Sequence, residues 1–206
     1  MPVDPATTRI YHITDVANLP GILAGGGLQS DAAMAGQEHT RIGYDHIKHR
    51  RLTETRVACC SNRFVGEFVP FYYCPRSPML FVLNLGRTGR EPGCQRTVIH
   101  LVSTVATATA LNRPWAISDG NAGAAYPSFY ADLRALASLD WEAIRARMWQ
   151  GRTSQKSAEF LVADFFPFTA IEAIGCQNSA VADEVNRALA NATHRPTVHV
   201  HTDWYY

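Results

Sequence analysis

Charge is scarce in this chain of 206 residues: charged side chains make up 18% of it and the formal net charge is +1. A balance so near neutral excludes a surface that binds polyanions everywhere, so any nucleic-acid contact has to be local. Cysteine is scarce as well. Cys59, Cys60, Cys74, Cys94 and Cys176 are odd in number and show no C-x-x-C spacing. That excludes a disulfide framework and a structural zinc site, and suits a reducing compartment. No apolar run reaches the roughly 18 residues of a membrane span, and residues 1–9 hold no apolar leader core. The sequence therefore points to a soluble, cytoplasmic protein without a membrane partner. G-x-G-x-x-G, G-x-x-x-x-G-K-[ST] and G-x-S-x-G are all missing, which removes the familiar phosphate cradles and the nucleophile elbow.

What is there is apolar. Hydrophobic residues make up 47%, enough to bury a core, and the length suits one domain over residues 1–206. Arg9–Thr14 reads as a strand, with His12 on the face opposite Tyr11 and Ile13. A short helix follows, with Asn18 as its cap and Pro20 in its first turn. Gly25-Gly26-Gly27 ends it, suiting a left-handed stop and a close backbone approach. Residues 79–85 read as a strand, 86–95 as a hairpin loop and 97–102 as the returning strand. Ser103–Leu111 reads as a helix capped by Ser103. Strands are also expected at 57–60, 115–118, 171–176 and 197–201, and a helix at 179–190. Phe129–Leu136 and Trp141–Trp149 read as two short helices, the second capped by Asp140. Three prolines and the aromatics of 64–79 suggest a rigid, irregular segment, either core or the wall of a cleft. The whole is a mixed α+β domain of many short strands.

Four features bear chemistry. Lys156–Pro167 places Glu159 ahead of a dense apolar run that reads as a core strand, where a carboxylate is poorly screened. The plainer reading pairs Glu159 with Lys156 or Arg152 at the surface. Residues 41–56 hold Arg41, Lys48, Arg50, Arg51 and Arg56 against Asp45 and Glu54, on a helix spanning 44–52. That helix is either a solvated face or an anion and nucleic-acid contact. His199 and His201 share a strand face, a geometry able to chelate a cation, but no third ligand other than Asp203 is identifiable nearby, which argues against a metal site. Finally, a strand histidine, a cleft tyrosine and a carboxylate opening a late strand suffice to break a nicotinamide–ribose bond through an oxocarbenium-like transition state.

Tyr11-His12-Ile13-Thr14, Asn18-Leu19-Pro20-Gly21-Ile22-Leu23, Ile47-Lys48-His49-Arg50-Arg51, Val69-Pro70-Phe71-Tyr72-Tyr73, Pro75-Arg76-Ser77-Pro78-Met79-Leu80 and Ala158-Glu159-Phe160-Leu161-Val162 follow, in order, the pattern of the DarT family. The chain resembles the thymine-modifying branch of these bacterial toxins. The resemblance implies an ADP-ribosyltransferase fold, two small and roughly perpendicular sheets with NAD⁺ in the cleft between them, flanked by helices. It implies transfer of ADP-ribose from NAD⁺ to thymine N3 in single-stranded DNA, with no metal, and a macrodomain antitoxin of the DarG type as partner. Glu159 becomes the essential carboxylate, and Arg50 or Arg51 the group acting at the thymine ring. His12, Ile13, Thr14, Gly27, Leu28, Tyr44, Tyr72 and Tyr73 become the NAD⁺ contacts. Lys48, His49, Arg76, Met79, Tyr126, Arg147, Trp149 and Arg152 become DNA contacts, several of them in a substrate-recognition block at 121–155. The chain departs from many nicotinamide-gripping relatives in having isoleucine, not glycine, after His12. Two other readings of the same residues are a non-catalytic single-strand-binding module and a protein-modifying ADP-ribosyltransferase.

Overall fold

Strand propensity and burial coincide at Arg9–Asp15, which forms β1 with Ile10, Tyr11 and Ile13 buried. The computed structural model describes residues 3–124 and 126–206. After β1 the chain runs through α1 (Leu19–Ala24), β2 (Gly27–Gln29), α2 (Asp45–Thr53), β3 (Arg56–Val57), β4 (Arg63–Phe64) and β5 (Phe68–Tyr72). It continues with α3 (Pro78–Asn84), β6 (Val98–Thr104), α4 (Val105–Thr109), β7 (Trp115–Ser118), β8 (Phe129–Tyr130), α5 (Trp141–Arg145) and α6 (Thr153–Lys156). β9 (Glu159–Ala163), β10 (Phe165–Pro167), β11 (Ala173–Cys176), α7 (Ser179–Ala188) and β12 (Thr197–Val200) complete it.

The main sheet runs β12-β11-β6-β1-β5-β9-β7-β8. β1 pairs with β6 along its full length, from Arg9↔Thr104 to Asp15↔Val98, but shares one rung with β5, Tyr11↔Tyr72. The two sheets implied by the resemblance are thus two halves of one ladder, joined at a single rung. Beside that rung the His12 Nδ1–H donates to the Pro70 carbonyl at 2.8 Å. In a strand the carbonyl and nitrogen of one residue point the same way. Pro70 therefore turns its N–H-less nitrogen toward β1 and loses no bond to β9, its partner on the other side. β9 is buried at every position, as its apolar run requires. Phe71, Phe160, Phe166, Leu101 and Ile174 form the main core with Val181 and Val185 of α7, while Leu161, Phe68 and Val65 form a smaller one.

β2 pairs with β10, opposing Gly27 to Pro167. A Cβ on Gly27 would lie 2.2 Å from the Phe166 carbonyl oxygen, and Gly26 has φ +74°. The triple glycine thus supplies both the left-handed stop and the close approach that its composition suggested.

Several elements depart from the sequence reading. Residues 79–85 belong to a helix, α3: Ser77 accepts from the Leu80 N–H at 3.2 Å, Pro78 opens the first turn, and these start signals outweigh an apolar run that is ambiguous by itself. No hairpin joins it to β6. The proline-rich stretch holds a regular strand, β5. Ser103 lies inside β6, and Thr104 caps α4 instead. Phe129–Leu136 is a two-residue strand followed by a 3-10 turn, and α5 stops at Arg145, although Asp140 caps it as expected. Only Arg56–Val57 is extended in the 57–60 region.

His100, central in β6, is fully buried. Its Nε2–H donates to the Pro75 carbonyl at 2.9 Å, and its Nδ1 lies 3.2 Å from the Tyr205 hydroxyl. Burial pushes its pKa down to about 4. The unfolded imidazole titrates near 6.5, so the unfolded chain binds a proton that the folded chain refuses. Stability is therefore full above about pH 6.5 and lost as pH falls toward 4. Urea unfolding at pH 7 and pH 4.5 should differ by about 2 to 3 kcal/mol from this group. A His100→Gln variant should lose that share of the slope; an unchanged slope would refute the assignment.

Candidate active site

α2 sets the site by its rotation. Consecutive helical residues point about 100° apart, so Arg50 and Arg51 cannot serve the same neighbour. Arg51 turns inward and is 7% exposed. Its Nη1 donates to Glu159 Oε2 at 3.0 Å and to Oε1 at 3.2 Å. Arg50 turns outward, 3.6 Å from Glu54, and donates to the Gly123 carbonyl.

Glu159 opens β9 and is 2% exposed. Neither Lys156 nor Arg152 is its partner. Besides Arg51 it accepts the Ala122 backbone N–H at 3.0 Å, and its own N–H donates to Ser118 Oγ at 3.0 Å. The Asp119–Gly123 turn therefore grips the carboxylate that β9 delivers. Burial works against the charge on Arg51, but Glu159 and, more weakly, Asp31 outweigh it, and the guanidinium is held more firmly protonated than usual. Arg51 Nη2 is buried without a hydrogen-bond partner among the described residues. An orphaned donor of this kind is costly unless a ligand takes it.

Arg51 lines a cleft of about 1000 Å³, at the top of the range for small-molecule sites. Glu159 lies directly behind it. His12, Ile13 and Thr14 form one wall, Gly27 and Leu28 another, and residues 37–44, ending at Tyr44, a third. Lys48 and Tyr72 face it from α2 and β5, and Met79 from α3. His12 spends Nδ1–H on Pro70, and burial lowers its pKa, so the neutral ring keeps Nε2 as an acceptor. Lys48 is paired with Asp31 at 2.9 Å.

Some expected residues stand elsewhere. Tyr73 follows Tyr72 in sequence and so points to the opposite face. It is buried edge-on against Trp141, 5.5 Å between ring centres, and lies in the core rather than on the cleft wall. Arg152 is committed to Asp140 at 2.6 Å and Glu142 at 3.2 Å, tying α6 to α5, which leaves it poorly placed for DNA. Arg76 stacks on Tyr206, and Trp149 meets Phe81 of α3 edge-on. His49 and Arg147 are exposed. Tyr126 is 97% exposed and borders a second groove with Arg50, Arg56 and Phe129. His201 stacks on Trp204 at 4.0 Å, and among the described residues no third ligand joins it and His199. The Ala122 N–H and Ser118 escaped sequence reading, because a backbone donor or an uncharged side chain carries no compositional mark.

Because the Arg51–Glu159 pair is buried, removing one partner strands the other. Glu159→Ala should cost about 3 kcal/mol of unfolding free energy, and adding Arg51→Met should recover part of it. Strictly additive losses in urea titrations would show that the two groups are uncoupled.

The chain matches the family described as ssDNA thymidine ADP-ribosyltransferase, DarT, over residues 11–206. A DNA ADP-ribosyl transferase of Thermus aquaticus is 37% identical over 98% of this chain and 90% of its own. The solved structure of Thermus sp. 2.9 DarT in complex with ADP-ribosylated ssDNA superposes with a TM-score of 0.92 at 36% identity, covering 100% of this chain and 99% of that one. The same Thermus protein in complex with NAD⁺ gives 0.87 at 33% identity, with both chains fully covered. On the extent of these matches and the α+β architecture they share, the chain belongs to the DarT family of DNA ADP-ribosyltransferases.

Proposed function

We propose that this protein transfers ADP-ribose from NAD⁺ to N3 of a thymine in single-stranded DNA, releasing nicotinamide. The observation that carries the reading is the buried Arg51–Glu159 pair at the floor of a dinucleotide-sized cleft whose β1 wall supplies His12. His12 Nε2 accepts from a ribose hydroxyl, and Tyr72 offers its ring to nicotinamide. As the C–N glycosidic bond breaks, nicotinamide leaves neutral and positive charge grows on the ribose. Glu159 stabilises that charge from a site of low dielectric.

Arg51 is not the base. A guanidinium held protonated by Glu159 has no lone pair to give, so the N3 proton leaves to water. Its part is to donate the unpaired Nη2 to the thymine ring and favour the N3 anion, which attacks the anomeric carbon. Moving toward the base also uncovers Glu159 for the ribose. A paired thymine has its N3 edge occupied, which accounts for a single-stranded substrate.

A second groove, lined by Arg50, Arg56 and Tyr126, offers flanking nucleotides cations and a bare aromatic face. Met79 borders the cleft from α3, and the exposed Arg147 offers a further cation. A macrodomain antitoxin of the DarG type that strips the mark is the expected partner. Both substrates are cytoplasmic, and no helix among the described residues is long and apolar enough to cross a membrane.

Mass spectrometry of oligonucleotides incubated with NAD⁺ checks the reading. A thymine-containing single strand should gain ADP-ribose, while its duplex and a thymine-free strand should not. Glu159→Gln, which keeps the shape, should slow the reaction at least about 10²-fold. Oligonucleotide binding without nicotinamide release, or label appearing on protein alone, would replace it with a binding module or a protein-modifying enzyme.

A further inference from the structure

One wall of the cleft hangs on a single amide. Residues 37–42 have no secondary structure, and together with Gly43 and Tyr44 they border the cavity before α2 begins. Among the described residues, 38–43 make no backbone–backbone hydrogen bond. What ties them across to the rest of the fold is Asn18. The Thr40 N–H donates to Asn18 Oδ1 at 2.8 Å, and Asn18 Nδ2 donates to the Thr40 carbonyl at 2.9 Å. Nδ2 also donates to Thr14 Oγ1 at 3.0 Å, two residues beyond His12 on β1. The remaining polar contacts of the segment are local, His39 to the Gln37 carbonyl and Arg41 to Asp45, while Ile42 rests half-buried against the cluster of Ile13 and Leu80.

Asn18 directly precedes α1, where an asparagine ordinarily accepts an N–H from the first turn. Here its side chain makes no such bond. It is spent on Thr40, where its one acceptor and two donors match the N–H and C=O of a peptide, as a neighbouring strand would. No other standard side chain of that length offers the set: aspartate lacks the donors, leucine lacks both.

We propose that Asn18 is a positioning residue for the dinucleotide, fixing the 37–44 segment at a set distance from the β1 wall so that bound NAD⁺ meets a formed surface on both sides. This rests on the functional reading above and adds a determinant of NAD⁺ affinity that does not touch the reacting atoms. Without the tether, each binding event must first order the segment, and affinity falls by the population of the closed wall.

Kinetics and exchange test it together. Asn18→Ala should raise KM for NAD⁺ roughly tenfold, with kcat at saturating NAD⁺ within about threefold, and should speed hydrogen exchange at the Thr40 amide. Asn18→Asp, which keeps the acceptor for Thr40 N–H and loses both donors, should fall between, and carries the test if the alanine variant does not fold. Unchanged KM with faster exchange would overturn the proposal, as would a fall in kcat at unchanged KM. Calorimetric NAD⁺ binding without DNA separates this from the functional reading. A wild-type chain that binds NAD⁺ but never modifies thymine defeats the function and leaves the affinity ratio to decide the tether; a wild-type chain that does not bind NAD⁺ defeats both.

Discussion

The site is organised around one buried ion pair. Arg51 and Glu159 lie 108 residues apart in sequence, and neither charge is tolerable in that interior alone. Their meeting fixes the rotation of α2, the start of β9 and the Asp119–Gly123 turn that adds the Ala122 N–H. The same contact leaves Arg51 with a spare donor on the cleft side and Glu159 shielded behind it. Under the proposed function, stability and chemistry draw on the same two side chains, so a loss of activity on cutting Glu159 to alanine would mix a missing charge with a damaged interior.

How far the sequence reaches depends on whether a feature is local. The strand of Glu159 was legible because five buried positions in a row leave few other solutions. The triple glycine was legible because its backbone geometry is available to few other residues. Family motifs marked the basic helix but not which arginine works, since the phase of a helix is set by what it packs on. Tyr72 and Tyr73 are the same residue type side by side, and only the register Tyr72↔Glu159 decides which one faces the cleft. α3 reads as a strand from sequence because the five apolar residues Met79–Leu83 suit a strand as well as a helix, and only the Ser77-Pro78 start distinguishes the two. Asn18 looked like a helix cap, and nothing nearby in sequence announces Thr40, 22 residues on.

Two of the thiols are held inert. Cys60 is buried, donates to the Trp115 carbonyl at 3.2 Å and is pushed up to about 12 by burial, and Cys176 to about 11. Thiols held protonated in this way are poor nucleophiles and slow to oxidise.

Pro70 has a wider bearing than its place in one strand suggests. It is the only standard amino acid without an amide hydrogen, and it sits on the edge of β5 that faces β1. Any replacement would hand that edge a donor in search of an acceptor, and the nearest supply is the backbone and imidazole of the strand that lines the binding crevice. The two halves of the sheet would then gain from zipping together along the line where the cleft opens. A residue without a donor thus preserves the cleft between the two halves, by having nothing to offer.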